Sequence, residues 1–529
     1  MNTHFPIVEK LYAINGDCWS TPESTLNSLW SALGAGANGL ALTVFLTKDK
    51  VPVCAPCESL GDFCVDDNIS ELTLDELQQL DAGVKFRSSQ LDDQGQPTGV
   101  RGDDTPWQAR AEDKPLKARK AVYFPALREV LELFGRRSEF ILMFPGEDYS
   151  RSETLIDSTL ALLTQFGLLN RATLCGSERE LQLIRNKYSS ARLLLDLRNR
   201  EPNFQFAGDA GILLNVEQID VANLHLSIGK GSSELRNLPS LYFSSATMAF
   251  APSPDALENL RLLEGHIAGY LSRGVLPSAN ALRPAAQIFR EEFSGSTLNT
   301  RYWSAGYSHI NSETTIVIRD GLHIDIAQGS SYSGGAAILT LPLHGDFDAR
   351  VQFHVANPSQ ATTFEMAAIG IDPGYLHLDN NDLNTRNVNL TFDVHGAPPY
   401  ASSERDQNDG FRCGWNNSFN FAKFGDKHST GSDAEWIAAS SNMYNKYGRD
   451  VGDGGDKNLS GELRLLRHGD VFNTYYRDKH NAEWVCSGSM LVQSMPKDAY
   501  IRLAAKHWTK VKPAPRNAIT FRNFSVFQF

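Results

Sequence analysis

The sequence predicts two architectures in tandem: an α/β TIM barrel over residues 1–287, then an all-β sandwich over residues 288–529. Two observations carry this. Short apolar runs alternate eight times with helical patterns before about residue 285, and after about residue 288 the apolar period drops to two. At 529 residues the chain also exceeds what a single core ordinarily holds.

In the first part the expected strands are Val8–Ile14, Gly39–Leu46, Phe140–Phe144, Ala172–Cys175, Ala191–Leu197, Ile212–Val216, Leu241–Ser244 and Gly274–Leu276. Between them, Pro22–Gly34, Leu127–Phe134, Ser152–Phe166 and Asp255–Leu271 repeat apolar residues every three or four positions, as helices covering a sheet do. Eight alternations suit a closed (β/α)8 barrel better than an open sheet. Pro22 with Glu23 beside it marks the expected start of the first helix. The insert Leu91–Lys117 is polar and rich in Asp, Gly and Gln, which predicts a surface loop at the barrel mouth or a flexible excursion. In the second part, period-two runs such as Thr315–Arg319, Ala349–Val355, Glu462–Arg467, Val471–Arg477 and Ile519–Phe529 are broken by Gly, Asn and Asp turns. That pattern is an antiparallel sandwich, joined to the barrel by a compact link near Pro284–Arg290.

The formal net charge is -12, with -8 through residue 290 and -4 beyond it. Neither part has the basic excess of a phosphate-backbone reader, so nucleic acid is not an expected partner. No stretch is long and apolar enough to cross a bilayer, and the N-terminus lacks a basic, then apolar, leader; the compartment stays open, unconventional secretion included. The seven cysteines are not a disulfide framework, and Cys54-x2-Cys57 offers only half of a tetrahedral zinc site.

Specific text lies near the start. AINGDCWSTPEST, GANGLALTVFLTKDKVPVC and ISELTLDELQQLDAG resemble the glycerophosphodiester phosphodiesterase family over residues 11–83, through the TKD-x-x-PV hairpin and the ELTLDEL segment. Toward residue 285 the resemblance rests on spacing. It implies a TIM barrel whose chemistry uses two histidines and metal-binding carboxylates. Carried over by position, however, the two histidines fall at Ile14 and Pro56, and the arginine at Asn15. The second-strand carboxylates fall at Ala41 and Thr43, the third-strand acid at Leu142 or Met143, and the lysine near Phe144. Glu23, Gly16 and Thr47-Lys48-Asp49 are retained. The resemblance therefore implies a pseudoenzyme barrel with no catalytic residues. The residues alone agree: hydrolysis of this kind needs a cation held by carboxylates, a base and an acid. Residues 1–224 contain one histidine, His4, and the next are His225 and His266. Glu147, Asp148, Asp196 and Glu217 lie near strand ends, where a relocated cation site would draw its ligands. Toxin phospholipases of this barrel type carry a disulfide in the loop that here holds Cys57 and Cys64, so the resemblance implies either that bond or two separate thiols.

In the second part, EEFSGSTLNTRYW, IVIRDGLHIDIAQG and GELRLLRHGDVFNTYYRDKHNAEWVCSGSM resemble concanavalin-like and laminin-G-like jelly rolls. A retaining glycanase on that fold sets two carboxylates about 5–5.5 Å apart on one strand. Glu365 has no such partner two residues on, and the next carboxylate is Asp372. Binding is better supplied. Between Tyr400 and Tyr447 aromatic residues mix with Asn, Asp and Gly, which suits stacking on a sugar ring and hydrogen bonding to its hydroxyls. The expected contact residues are Trp415, Asn416, Asn417, Phe419, Asn420 and Trp436, although such aromatics equally pin a long loop to a sandwich. Asp379–Asp382 and Asp450–Asp456 carry the oxygen ligands and turns that calcium takes and that ordinary turns also use; no other cofactor or metal is expected.

The sequence thus predicts a non-catalytic recognition protein for a glycan or glycolipid, such as a secreted or toxin-associated component. Two other classes stay open: a hydrolase with a rebuilt site in either part, and a structural or assembly subunit.

Overall fold

The computed structural model describes residues 10–86, 89–93, 97–101, 123–146, 149–198, 211–215, 219–220, 225–226, 247–251, 269–273, 275, 285–307, 314–329, 334–358, 362–370, 387–393, 410–416, 458–478, 482–492, 495–506 and 513–529. The chain divides into two compact units. The first is Met1–Phe86, Gln94–Pro97 and Val122–Pro284; the second is Arg87–Asp93, Thr98–Ala121 and Ala285–Phe529.

The first unit is built on eight strands: β1 Lys10–Ile14, β2 Gly39–Leu46, β3 Glu139–Met143, β4 Ala172–Gly176, β5 Arg192–Asp196, β6 Gly211–Asn215, β7 Thr247–Ala251 and β8 Gly269–Ser272. Each pairs in parallel with the next, and β8 pairs with β1, so the ring is closed. This is a TIM-barrel-like fold. Because side chains alternate along a strand, one set points inward. Tyr12 and Ile14, Ala41, Ile141 and Met143, Cys175, Leu194, Leu213 and Leu271 form that inner cluster. Described helices are α1 Leu26–Gly34, α2 Leu74–Gln79, α3 Leu127–Phe134, α4 Ser152–Gln165 and α5 Glu178–Lys187.

Three expectations need correction. The seventh and eighth strands lie at Thr247–Ala251 and Gly269–Ser272; the expected Leu241–Ser244 lies outside the described residues, and of the expected Gly274–Leu276 only Val275 is described and is not in a strand. Short apolar runs recur throughout this stretch, and closure against β6 and β1 chooses among them. The helix expected to extend to Leu271 therefore cannot do so, since Gly269–Ser272 is extended. Finally, α1 starts after Thr25 rather than at Pro22. Ser24 is left-handed (φ 59°), which breaks the helical run, and the Thr25 side chain accepts from the Ser28 N–H as the N-cap.

Among the described residues of the second unit, the strands from Ala286 onward form two antiparallel sheets. Its strands are β9 Ala286–Glu291, β10 Trp303–Tyr307, β11 Thr314–Ile318, β12 Leu322–Ile326, β13 Gly334–Leu339, β14 Phe347–Ala356, β15 Thr363–Ile369, β16 Asn387–Asp393, β17 Gly410–Asn416, β18 Asn458–His468, β19 Val471–Asp478, β20 Val485–Leu491, β21 Asp498–Lys506 and β22 Asn517–Gln528. One sheet runs β11-β12-β22-β14-β18-β19-β20, with β9 also on β22; the other runs β10-β13-β21-β15-β16-β17. Alternation on β14 sends Phe347, Ala349, Val351, Phe353 and Val355 to a core shared with Phe364, Met366 and Leu503 of the other sheet. Phe353 and Phe364 meet there with ring centroids 4.8 Å apart.

Of the polar insert Leu91–Lys117 only residues 91–93 and 97–101 are described, and residues 89–93 are grouped with the second unit. Leu91 and Trp484 exchange backbone hydrogen bonds at 2.9 and 2.8 Å. The Trp484 ring is buried, and its indole N–H donates to Asp93 Oδ1 at 2.8 Å. Guanidiniums of Arg477, Arg464 and Arg350 lie 4.5, 5.6 and 5.9 Å from that ring. An indole N–H in such a place needs an acceptor, and the insert supplies one.

Candidate functional site: the barrel mouth

In a barrel of this kind the side chains available for chemistry come from the C-terminal ends of the strands and the loops that follow. The loop after β1 is sharply bent. Asn15 (φ 54°) and Gly16 (φ 94°) are left-handed, and Ser24 N–H returns to the Asn15 carbonyl at 2.7 Å. Asn15 organises the loop: its Oδ1 accepts from Thr43 N–H at 3.1 Å, and its Nδ2 donates to Glu23 Oε1 at 3.1 Å. Arg273, just after β8, donates to Glu23 Oε2 at 2.5 Å. Glu23 is almost fully buried and Arg273 half exposed, so the retained acid of the PEST segment is already held by an amide and a guanidinium.

Cys18 lies on this loop with its Sγ 3.2 Å from the Ile14 carbonyl. Burial pushes its thiol well up, Glu23 adds to that, and Arg273 opposes it. The thiol is therefore the resting form at neutral pH. Asp17 is buried and accepts from Ser31 Oγ at 2.9 Å; burial raises its carboxyl against those hydrogen bonds. After β5, Asp196 is taken up by Arg198, with contacts of 2.9 and 2.6 Å, and Arg198 Nη2 lies 3.9 Å from Met143 Sδ.

Gly16 shows how tightly this loop is set. A Cβ there would lie 2.2 Å from Ser28 Oγ and 2.7 Å from the Ser28 carbonyl carbon. Gly16→Ala is expected to cost at least about 2 kcal/mol from strain and overpacking combined, read as a lower unfolding midpoint of the first unit.

The motifs of the first part have visible structural work. In the TKD hairpin, Thr47 N–H bonds the Val51 carbonyl at 3.1 Å, Thr47 Oγ1 donates to Asp49 Oδ1 at 2.6 Å, and Lys50 takes a positive φ of 64°. Asp49 also accepts from Leu74 N–H at 3.0 Å, at the start of α2. In ELTLDEL, Thr73 and Glu76 form a capping box on α2. Phe45, Val53, Leu60, Ile69, Leu77 and Phe124 close a separate small core beneath these turns.

Of the positions singled out in the sequence, Ile14, Ala41 and Met143 join the inner cluster, and Leu142 does not; the strand register selects Met143. Pro56 is half-buried and Phe144 buried. Cys54, Cys57 and Cys64 are free thiols, with Cys57 Sγ against the Ser59 carbonyl at 2.8 Å. Glu147, Asp148, Glu217 and His266 lie outside the described residues, and of His225 only the strand backbone is described. Among the described residues no three His, Cys, Asp or Glu side chains come together as a metal-binding group, and no helix is long and apolar enough to cross a membrane. Asn15, Arg198 and Arg273 were not assigned these roles from sequence. The one available signal was Arg273 beside the expected closing strand.

In the second unit, Trp415 and Asn416 are on β17, in register with Val388 and Asn387 of β16. Asn417, Phe419, Asn420, Trp436 and both acidic tracts lie outside the described residues. Glu365 is buried on β15 and ion-paired with Arg502, which is also buried.

Comparison with known proteins bears on the first unit. Residues 15–214 match the family model described as the glycerophosphoryl diester phosphodiesterase family. A curated glycerophosphodiester phosphodiesterase from Caldanaerobacter subterraneus subsp. tengcongensis is 36% identical over 75 residues, which cover 14% of this chain and 31% of that protein. The match thus spans about a third of the relative's length. Among solved structures, a glycerophosphodiester phosphodiesterase from Agrobacterium tumefaciens aligns at 17% identity and TM-score 0.37, over 51% of this chain and 99% of that one. An Oleispira antarctica phosphodiesterase in complex with sn-glycerol-3-phosphate aligns at 17% identity and TM-score 0.39, over 52% and 96%. Residues 15–214 are a domain of the glycerophosphodiester phosphodiesterase family.

Proposed function

We propose that this chain is a non-catalytic recognition protein, in which the phosphodiesterase-type barrel serves as scaffold and the C-terminal unit contacts a glycan or glycolipid. One observation carries the first half of this reading. Ile14, Ala41 and Met143, the positions to which one of the family's histidines, a second-strand carboxylate and the third-strand acid carry over, are buried in the apolar inner cluster of the barrel. An apolar side chain neither holds a cation nor moves a proton, and this reaction requires both. Glu23 and Asp196 are held by Arg273 and Arg198. The glycan reading rests on the Trp415–Asn420 text of the sequence and on resemblance to concanavalin-like jelly rolls.

A second reading, a hydrolase with a rebuilt site, draws on the polar set Cys18, Glu23 and Arg273 gathered after β1 and β8. Turnover separates the two. Full-length chain incubated with glycerophosphocholine, in Mg2+ and separately in Ca2+, is expected to release no product above the rate without protein. Hydrolysis that Glu23→Gln or Asp196→Asn abolishes would overturn the scaffold reading in favour of the rebuilt site. Glycan binding is tested apart, as saturable binding to an immobilised glycan panel that Trp415→Ala weakens.

A further inference from the structure

On the second unit, the face of the β14 sheet turned away from the core carries a groove that neither the barrel chemistry nor the Trp415 segment uses. Alternation places Gln352 and His354 of β14 on this face, with Ser460 and Glu462 of β18, Arg477 of β19 and Arg522 of β22. They surround a cavity of about 350 Å3, at the lower end of the roughly 300–1,000 Å3 of small-molecule pockets.

The register arranges these groups in two rows. Arg522, Gln352, Glu462 and Arg477 are successive cross-strand partners over four strands, and His354 pairs with Ser460 two residues along. Strand spacing and rise make this a grid of about 4.8 Å by roughly 7 Å. Gln352 Nε2 donates to Glu462 Oε1 at 2.9 Å, and Arg477 Nη2 donates to Glu462 Oε2 at 2.8 Å. A register shift between Arg350 and Gln352 opposite β22 turns Asn523 (φ 47°) so that its Nδ2 reaches Gln352 Oε1 at 2.7 Å. His354 Nδ1 is hydrogen-bonded to the exposed Ser460 hydroxyl at 2.6 Å. Beneath the rows Gly461 admits the Phe353 ring, because a Cβ would lie 2.9 Å from its Cζ.

The charges of this groove cancel locally. Among the lining residues Arg477 and Arg522 balance Glu462 and Asp478; Arg477 also faces Asp93 and Glu483, and Arg522 faces Asp320. What is left to a ligand is an alternation of fixed donors and acceptors with no excess of positive charge. An anion would have to displace a carboxylate from its guanidinium. A compound whose neighbouring hydroxyls both donate and accept needs no such exchange. We infer that this groove binds a small uncharged polyhydroxy compound, about the size of one sugar ring. The site is separate from Trp415 and does not rest on the glycan reading of that segment.

Ligand-observed saturation-transfer NMR on the full-length chain tests it, with glucose, galactose and glycerol as probes and methyl phosphate as the charged comparator. At least one of the three neutral probes is expected to give saturable signal. Ser460→Ala, an exposed position, and His354→Ala should each weaken it roughly tenfold, whereas Trp415→Ala should leave it unchanged. Absence of saturation by all three, or equal binding by Ser460→Ala and His354→Ala at an unchanged thermal midpoint, would overturn the inference. So would saturation by methyl phosphate alone, or loss on Trp415→Ala with both groove variants intact. Binding that both groove variants lose together with their thermal transition is resolved by Ser460→Thr, which restores the hydroxyl: recovered binding supports the site and continued loss rejects it.

Discussion

Asp348→Asn is expected to destabilise the second unit by about 3–5 kcal/mol, the cost of leaving a buried charge without its counter-ion. Asp348 and Arg464 lie on the adjacent strands β14 and β18 of one sheet, both buried, joined by contacts of 2.8–3.1 Å. Arg350 adds a further contact to Asp348 at 2.8 Å. Arg350 has Asp93 as a second acid, 3.6 Å away, while the buried Arg464 depends on Asp348. One Arg464 nitrogen, Nη1, already lacks a partner, which leaves little slack for losing another. The pH dependence gives an independent readout. Burial alone would raise the Asp348 carboxyl; Arg464 and Arg350 reverse that and hold it down to about 2. A carboxyl depressed in the folded state stabilises above its ordinary value near 3.9, and this contribution disappears as pH falls to about 2. Urea unfolding of wild type and variant should therefore differ most above about pH 4 and converge in acid. A constant gap down to about pH 2 would reject the assignment.

Trp484→Ala should cost about 3–5 kcal/mol as a buried aromatic truncation. It should also release the inserted segment. The ring closes over three guanidiniums, its indole N–H holds Asp93, and its backbone pairs with Leu91. Faster tryptic cleavage after Arg87 or Arg101, at temperatures well below unfolding, is the expected signature. Asp93→Asn keeps the ring buried while removing the charge facing Arg477 and Arg350, so its effect should be smaller. If both variants were cleaved like wild type, the insert would not be held through Trp484.

How much of this was legible beforehand depended on whether the signal was local. Gly39–Leu46 and Leu127–Phe134 coincide with their expected bounds, because a dense apolar run and an amphipathic turn pattern need no distant partner to be recognised. The final barrel strand was displaced by several residues, since apolar runs in that stretch are equivalent until closure against β1 selects one. The helix start at Pro22 failed on a backbone reversal at Ser24, whose side chain gave no warning. At the mouth, period two on Gly39–Leu46 left open which alternating set faces inward, and packing of the closed ring chose the set with Ala41. Glu23 was visible as a retained acid, yet its neutralisation by Arg273, 250 positions away, was not.

The sequence by itself determined the two-part organisation, the alternating character of each part, and the apolar identities at Ile14, Ala41 and Met143. These follow from periodicity and side-chain chemistry, which are properties of neighbours along the chain. Tertiary structure decided which of Leu142 and Met143 faces inward, that residues 89–93 belong with the second unit, and that Glu23, Asp196 and Asp348 each stand against a guanidinium. Those outcomes depend on register and closure, which bring together groups that no local pattern connects.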